Sequence, residues 1–338
     1  MLIRLLDGGQ VGVITRSLMK AEVVDLSAES VPVWDEAIER SVNGTLFHTR
    51  KFLAYHADRF VGREQFVGFR IGGEIIARMS FAVAERDEGR VLLSPYGASY
   101  GGIVFSRQPG FQEALAVTDA LVDQFRELSV DEAHLAYPIR ACQRASLDTA
   151  EFALLHRGFQ VTIRDVTSVF VRGASQISAR GRRSARKAQR AGVTIDWEPD
   201  FADFWAVVEA TYRKHGVPPT HSPEEFRRLR RLAGNQVTTC VAYFEGAPAA
   251  ALGCFRLTDR IDSAFYICSD PALNKSQSLS LLIKEKLDRM DSKIDFFSFG
   301  TSTYDMTPRT NIFEYKENFT KIGMFRDTYT WKKSNEDA

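Results

Sequence analysis

Two stretches of the chain carry the same alternation of apolar and polar positions. FVGFRIGGEIIARMSF (66–81) and CVAYFEGAPAAALGCF (240–255) each read as a strand, a tight glycine turn and a returning strand. At one fixed offset Val67 faces Val241, Phe69 faces Tyr243, Gly72 faces Gly246, Ala77 faces Ala251 and Phe81 faces Phe255. The surroundings echo as well. VPVWDEAIERSV and TRKFLAYHADRF precede the first hairpin, and ADFWAVVEATYRKHG and PEEFRRLRRLAG precede the second, all with helical spacing. A further strand follows each hairpin (90–95 and 260–269). Then comes a stretch with apolar residues at intervals of three and four (110–128 and 274–290), which predicts an amphipathic helix packed on a sheet. Short strands, DEAHLAY and KIDFFSFG, close each series.

The order helix, helix, strand, strand, strand, helix, strand thus occurs twice. The period is far longer than that of a solenoid repeat, so a whole domain is duplicated. RDVTSVFVRG reads as a strand, SQISARGRRSARKAQRAG as a basic helix and VTIDW as the strand that opens the second unit. The boundary is therefore expected near Gly173, giving domains 1–173 and 174–338, with SNEDA a frayed tail.

Composition narrows the function classes. A chain of 338 residues suits two ordinary domains, and a formal charge of +1 excludes a basic field over the whole surface. Cys142, Cys240, Cys254 and Cys268 form no C-x-x-C pair and lie in apolar runs or strands, as small buried hydrophobes do in a reducing compartment. No metal site is expected from this spacing. MLIRLLDGGQVGVITRSLMK has charges throughout and lacks the apolar core of a signal peptide, and no run is long enough to span a membrane; a cytoplasmic protein is expected.

Three stretches carry a family resemblance: RSARKAQRAGVTIDW, DFFSFGTSTYD (295–305) and EYKENFTKIG (314–323). They resemble the FemABX type of acyltransferase, a duplicated GNAT fold, in its basic helix, its strand ending in a Phe-Gly turn and its closing F-K-x-x-F-G segment. Here Tyr315 precedes Lys316 and Thr320 replaces the glycine of that last motif. The resemblance implies an α/β fold class of the α+β GNAT kind, with two tandem GNAT domains, each a mixed, mostly antiparallel sheet flanked by helices. SPYGASYGG (94–102) looks more like bacterial enzymes that N-acylate nucleotide-linked amino sugars for surface polysaccharides. That likeness implies acyl-CoA as co-substrate and a nucleotide-linked amino sugar as acceptor. The basic helix keeps open a Fem-type reading, with an aminoacyl-tRNA donor and a peptidoglycan precursor as acceptor. So does the stretch DPALNKSQSLSLL, which has no glycine where GNAT domains commonly carry a Gly-rich turn for the CoA pyrophosphate. A degenerate tandem that only binds is a third reading.

Direct attack of an amine on a thioester needs positioning, a proton acceptor and a donor for the oxyanion. His215 and Asp305 are candidate bases, and Tyr266 is a candidate partner for a leaving thiolate. Tyr96, Ser99 and Tyr100, interspersed with Gly97, Gly101 and Gly102, offer rings and hydroxyls to a nucleotide, or else pack on the core. Tyr212, Arg213, Arg309 and Lys316 are candidate acceptor-binding residues, the two last for phosphate. Asn274, Lys275, Ser276 and Ser278 are candidate donor-binding residues at a helix start. Arg180, Arg182, Arg183, Arg186, Lys187 and Arg190 make a phosphate-binding face or a solvated helix at a domain junction. His221, His134, His48 and His56 are weaker candidates. The donor is expected between strands ending near Ser269 and Phe299, which must splay to admit it. The acceptor is expected in the cleft between the domains, under Tyr96 and Tyr100.

Overall fold

The computed structural model describes residues 19–87 and 89–333; the opening residues 1–18 and the tail SNEDA lie outside them. The first half runs β1 (Glu22–Asp25), α1 (Val31–Arg40), α2 (Arg50–Leu53), β2 (Glu64–Ile71), β3 (Glu74–Arg86), β4 (Gly89–Ser94), β5 (Val104–Phe105), α3 (Phe111–Glu127), β6 (Glu132–Ala136), α4 (Asp148–His156) and β7 (Gln160–Val171). The second runs α5 (Ala179–Arg190), β8 (Thr194–Asp196), α6 (Phe201–His215), α7 (Pro223–Ala233), β9 (Val237–Phe244), β10 (Ala247–Arg256), β11 (Ile261–Ser269), α8 (Ser278–Asp288), β12 (Phe296–Thr301), β13 (Thr303–Tyr304), β14 (Thr307–Pro308), α9 (Thr310–Lys316) and β15 (Gly323–Lys332).

The two hairpins form as their alternation predicts. Gly72 and Gly246, equivalent in the echo, both sit at positive φ (58° and 80°), which an L side chain adopts only with strain. The stretch after α2 departs from the expectation: a 3-10 segment, Ala54–Phe60, replaces a continuous helix. The sequence reading also passes over α4 and β15.

Thirteen strands make one sheet, in the order β1-β2-β3-β4-β6-β15-β7-β12-β11-β10-β9-β8, with β5 on β3. Read from either end toward the middle the arrangement is the same, as duplication requires. The centre is exchanged: β7, from the first half, pairs with β12, while β15, from the second, pairs with β6, and the two pair with each other. Each half thus lends its last strand to the other. Pairing leaves no edge at the junction and buries Tyr329 and Trp331 of β15 in the first half's core. Further cores lie under α8 and between α6, α7 and the first half, where Phe47, Phe52, Phe226 and Phe255 pack together.

Candidate active site

In the second half β11 and β12 run parallel, but only Ile261, Asp262 and Ser263 pair, with Phe296, Phe297 and Ser298. Beyond that point they diverge. β11 continues against β10 as far as Ser269, while Gly300, at φ 71°, turns β12 away. The fork opens into a cleft of about 930 Å³. Its floor is apolar, from Phe265, Ile267, Phe299 and Ile312, and α8 begins at its side with Ser278 and Leu279. The N–H of Ser269 is taken by Thr211 Oγ1 at 3.0 Å, which pins α6 to the end of β11. The last turn of α6, closed by Gly216 at φ 69°, then carries Tyr212, Lys214 and His215 to the rim. Arg180 from α5 and Arg309 at the start of α9 complete it.

Lys316 is the most constrained polar residue of the cleft. It is buried, and its Nζ donates to Gly300 O at 2.9 Å and Thr301 O at 2.7 Å, the carbonyls at the end of β12. No carboxylate compensates its charge, and burial pulls the ammonium down to about 7. The preceding residue, Tyr315, also lines the cleft. Its Oη is buried and makes no well-formed hydrogen bond among the described residues, with Ser280 as its polar neighbour, and burial pushes the hydroxyl well above its ordinary pKa. The sequence reading notes Tyr315 only as a neighbour of Lys316. The available signal is its place one residue before the lysine of the closing motif.

The cleft gathers Tyr212, His215, Asn274, Ser276, Ser278, Arg309 and Lys316 from the expected residues. Arg213, Lys275 and Asp305 do not line it. Asp305 stands exposed at the tip of the β13–β14 hairpin, at φ 49°. Ser276 and Ser278 are buried and spend their hydroxyls on each other at 2.6 Å, with Ser276 Oγ also within reach of Leu273 O, so they are not the free donors expected at the helix start. Positive φ falls on Gln277 (61°), in the segment where the expected glycine is missing.

Several expectations need correcting. Tyr266 is fully buried among Phe204, Trp205 and Phe226, with its hydroxyl 2.9 Å from His221 Nδ1, so it cannot meet a thiolate. Tyr96 and Tyr100 present no stacking face. Tyr96 is 2% and Tyr100 5% exposed; the first packs on Phe60 and donates to Glu64, the second packs on Phe47. Ser99 offers its carbonyl to Arg326. His48 and His56 are buried, and His134 bonds Thr330 within the sheet. By contrast, the six cations of α5 are all exposed and none forms an ion pair among the described residues, while Gly181, Ala185 and Ala188 face inward and the helix packs on α8.

Residues 175–317 match the family model described as an acetyltransferase (GNAT) domain. No curated protein matches the chain. Solved structures match across its length at low identity. FemX aligns at TM-score 0.65 and 9% identity, over 92% of this chain and 97% of its own. L-PGS from Bacillus licheniformis aligns at 0.57 and 12%, over 91% and 92%. A tandem GNAT protein from the clavulanic acid biosynthesis pathway aligns at 0.50 and 10%, over 93% and 98%. No helix among the described residues is long and apolar enough to cross a membrane. The fork, the cleft beside α8 and the domain match agree: residues 175–317 match a GNAT acetyltransferase domain, which marks the chain as an acyltransferase, and the chain as a whole has a fold like those of FemX and of a tandem GNAT protein.

Proposed function

We propose that the chain, read as domains 1–173 and 174–338, transfers an acyl group from acyl-CoA to the amine of an anionic acceptor, with a nucleotide-linked amino sugar as the specific form. The observation that carries this reading is the fork between β11 and β12, open beyond Ser263 and Ser298 onto a cleft of about 930 Å³. Unpaired strand edges there offer N–H and C=O groups to the amides of a pantetheine arm, and the apolar floor accepts its carbon chain. The amine nitrogen attacks the thioester carbonyl; the C–N bond forms, the C–S bond breaks, and the sulfur leaves as a thiolate. Tyr315 Oη, buried in the cleft beside Ser280, supplies the proton to that sulfur. Lys316 stands at the end of β12 with one N–H beyond those given to Gly300 and Thr301, and that N–H meets the developing oxyanion. The ammonium proton of the acceptor leaves by the open rim, where His215 is placed to take it. Arg180, Lys214 and Arg309 favour phosphate-bearing substrates there.

Calorimetry with acetyl-CoA tests the donor half. Binding that weakens about tenfold or more in Arg180→Ala, but not in Arg190→Ala at the far end of α5, supports it. No binding with or without an amino-sugar nucleotide sinks it. A second reading, an aminoacyl-tRNA donor, is favoured by the six exposed cations of α5, which run from Arg180 at the cleft to Arg190 away from it. It requires tRNA binding that weakens steeply with salt.

A further inference from the structure

The duplication allows the two halves to be compared residue by residue at the fork, and they differ at one point. In the second half Phe255 pairs with Ser263, Leu252 with Ile267 and Ala251 with Cys268. At the offset of the sequence echo, the first-half counterparts of Leu252 and Ala251 are Arg78 and Ala77. These pair with Val104 and Phe105, the two residues of β5. Ala82, the counterpart of Arg256, pairs with Leu93 as Arg256 pairs with Asp262. β4 and β5 are therefore the two ends of one strand equivalent to β11. Residues 95–103 stand between them where Ala264, Phe265 and Tyr266 complete β11. The break falls where the strands part: Ser94 opposite Leu135 is the last pair of β4 with β6, as Ser263 opposite Ser298 is for β11 with β12.

The inserted residues fold back into the fork. Gly101 donates its N–H to Ala136 O at 2.8 Å, and a Cβ on it would run into Ser94 and Pro95. The same residue accepts from His48 Nε2 at 3.2 Å, the tautomer fixed by Thr45 N–H donating to His48 Nδ1. Gly102 donates to Ser94 Oγ at 2.9 Å, and Ile103 donates to Tyr137 Oη at 3.1 Å. A Cβ on Gly102 would lie 2.6 Å from the Tyr137 ring, so only glycine permits this approach. Arg326, on the exchanged strand β15, holds Ser99 O from above. Where Ile103 meets α3 and α4, a void of about 10 Å³ lies between Thr118, Tyr137 and Leu154.

We infer that the first domain's donor groove is permanently filled by the chain's own segment 95–103, so that the tandem takes one acyl donor per chain, in the second domain. Through Gly101 N–H the segment takes the Ala136 carbonyl at the edge of β6 that a ligand would otherwise meet, and Arg326 of the second domain's last strand keeps it there. The inference rests on the donor reading above only for what binds the second fork.

Two measurements on the full chain test it. Calorimetric titration with acetyl-CoA is expected to give one equivalent. Two equivalents overturn the inference while leaving the donor reading intact. Hydrogen exchange, followed without any ligand, is expected to show the amides of Gly101, Gly102 and Ile103 protected like those of β6 and unchanged by acetyl-CoA. Tyr137→Phe is expected to speed exchange at Ile103 at least tenfold with the titration still at one equivalent. If acetyl-CoA does not bind at all, the donor reading fails and the exchange data decide alone: protection upholds the filled groove, and rates of an open loop refute it.

Discussion

Lys316 Nζ lies 2.7 Å from the carbonyl of Thr301, and this contact ties α9 to the open end of β12. When protonated, a lysine held by carbonyls rather than by a carboxylate is not neutralised by its partners, and its charge acts on whatever enters the cleft. Lys316→Met removes that charge and one candidate oxyanion donor. Turnover is expected to fall by roughly 10²–10³-fold, with acetyl-CoA affinity changed much less. Equal losses in kcat and in donor affinity, read from steady-state kinetics and calorimetry, would place Lys316 in donor binding instead.

The same lysine makes stability depend on pH in a defined direction. Its ordinary value is 10.5, and burial brings it to about 7 in the folded chain. Between these values the unfolded chain holds a proton that the folded chain has released, so stability rises with pH. Below about pH 7 the buried charge costs the fold its full penalty. Lys316→Met removes this dependence. The melting temperature of the wild-type chain should gain on that of the variant from pH 7 to 10, whatever their difference at pH 7. A constant difference across that window would mean that Lys316 titrates normally.

Tyr315→Phe keeps the ring and deletes only the hydroxyl, which makes no well-formed hydrogen bond among the described residues. Stability is expected to hold or rise slightly, since an unsatisfied buried polar atom is removed. Turnover should drop about 10²-fold or more if the hydroxyl protonates the leaving thiolate. A substrate with a more acidic thiol leaving group should recover part of the loss. Undiminished turnover would rule out this role.

Gly181 lets α5 approach the loop after α9. A Cβ there would lie 2.7 Å from Asn318 O and 3.0 Å from Ile177 Cγ2, both held in place by the bond from Ser178 N to Asn318 O. Gly181→Val should therefore cost about 1–3 kcal/mol in denaturant unfolding. A cost near zero would show that α5 rides loosely on α8 and α9.

The chain's local pattern is sufficient for both hairpins, for helices α1, α3, α5, α6, α7 and α8, and for the duplication, because period and turn chemistry are short-range properties. The expectation of a fork near Ser269 and Phe299, and the choice of Lys316, come from the family resemblance and not from that pattern. Local pattern does not reveal that β7 and β15 change places, since an alternating strand carries no label for its partner. Nor does it separate a tyrosine that lines a cleft from one that fills a core. Tyr96 and Tyr100, in a glycine-rich loop, read as ligand-binding residues, yet the fork takes them inward because Gly101 and Gly102 can pass between β4 and β6. Tyr315, plain in sequence, becomes a candidate only when α9 docks over the open fork. Burial and hydrogen-bond satisfaction depend on residues distant in the chain, and packing alone decides which polar groups remain free to act.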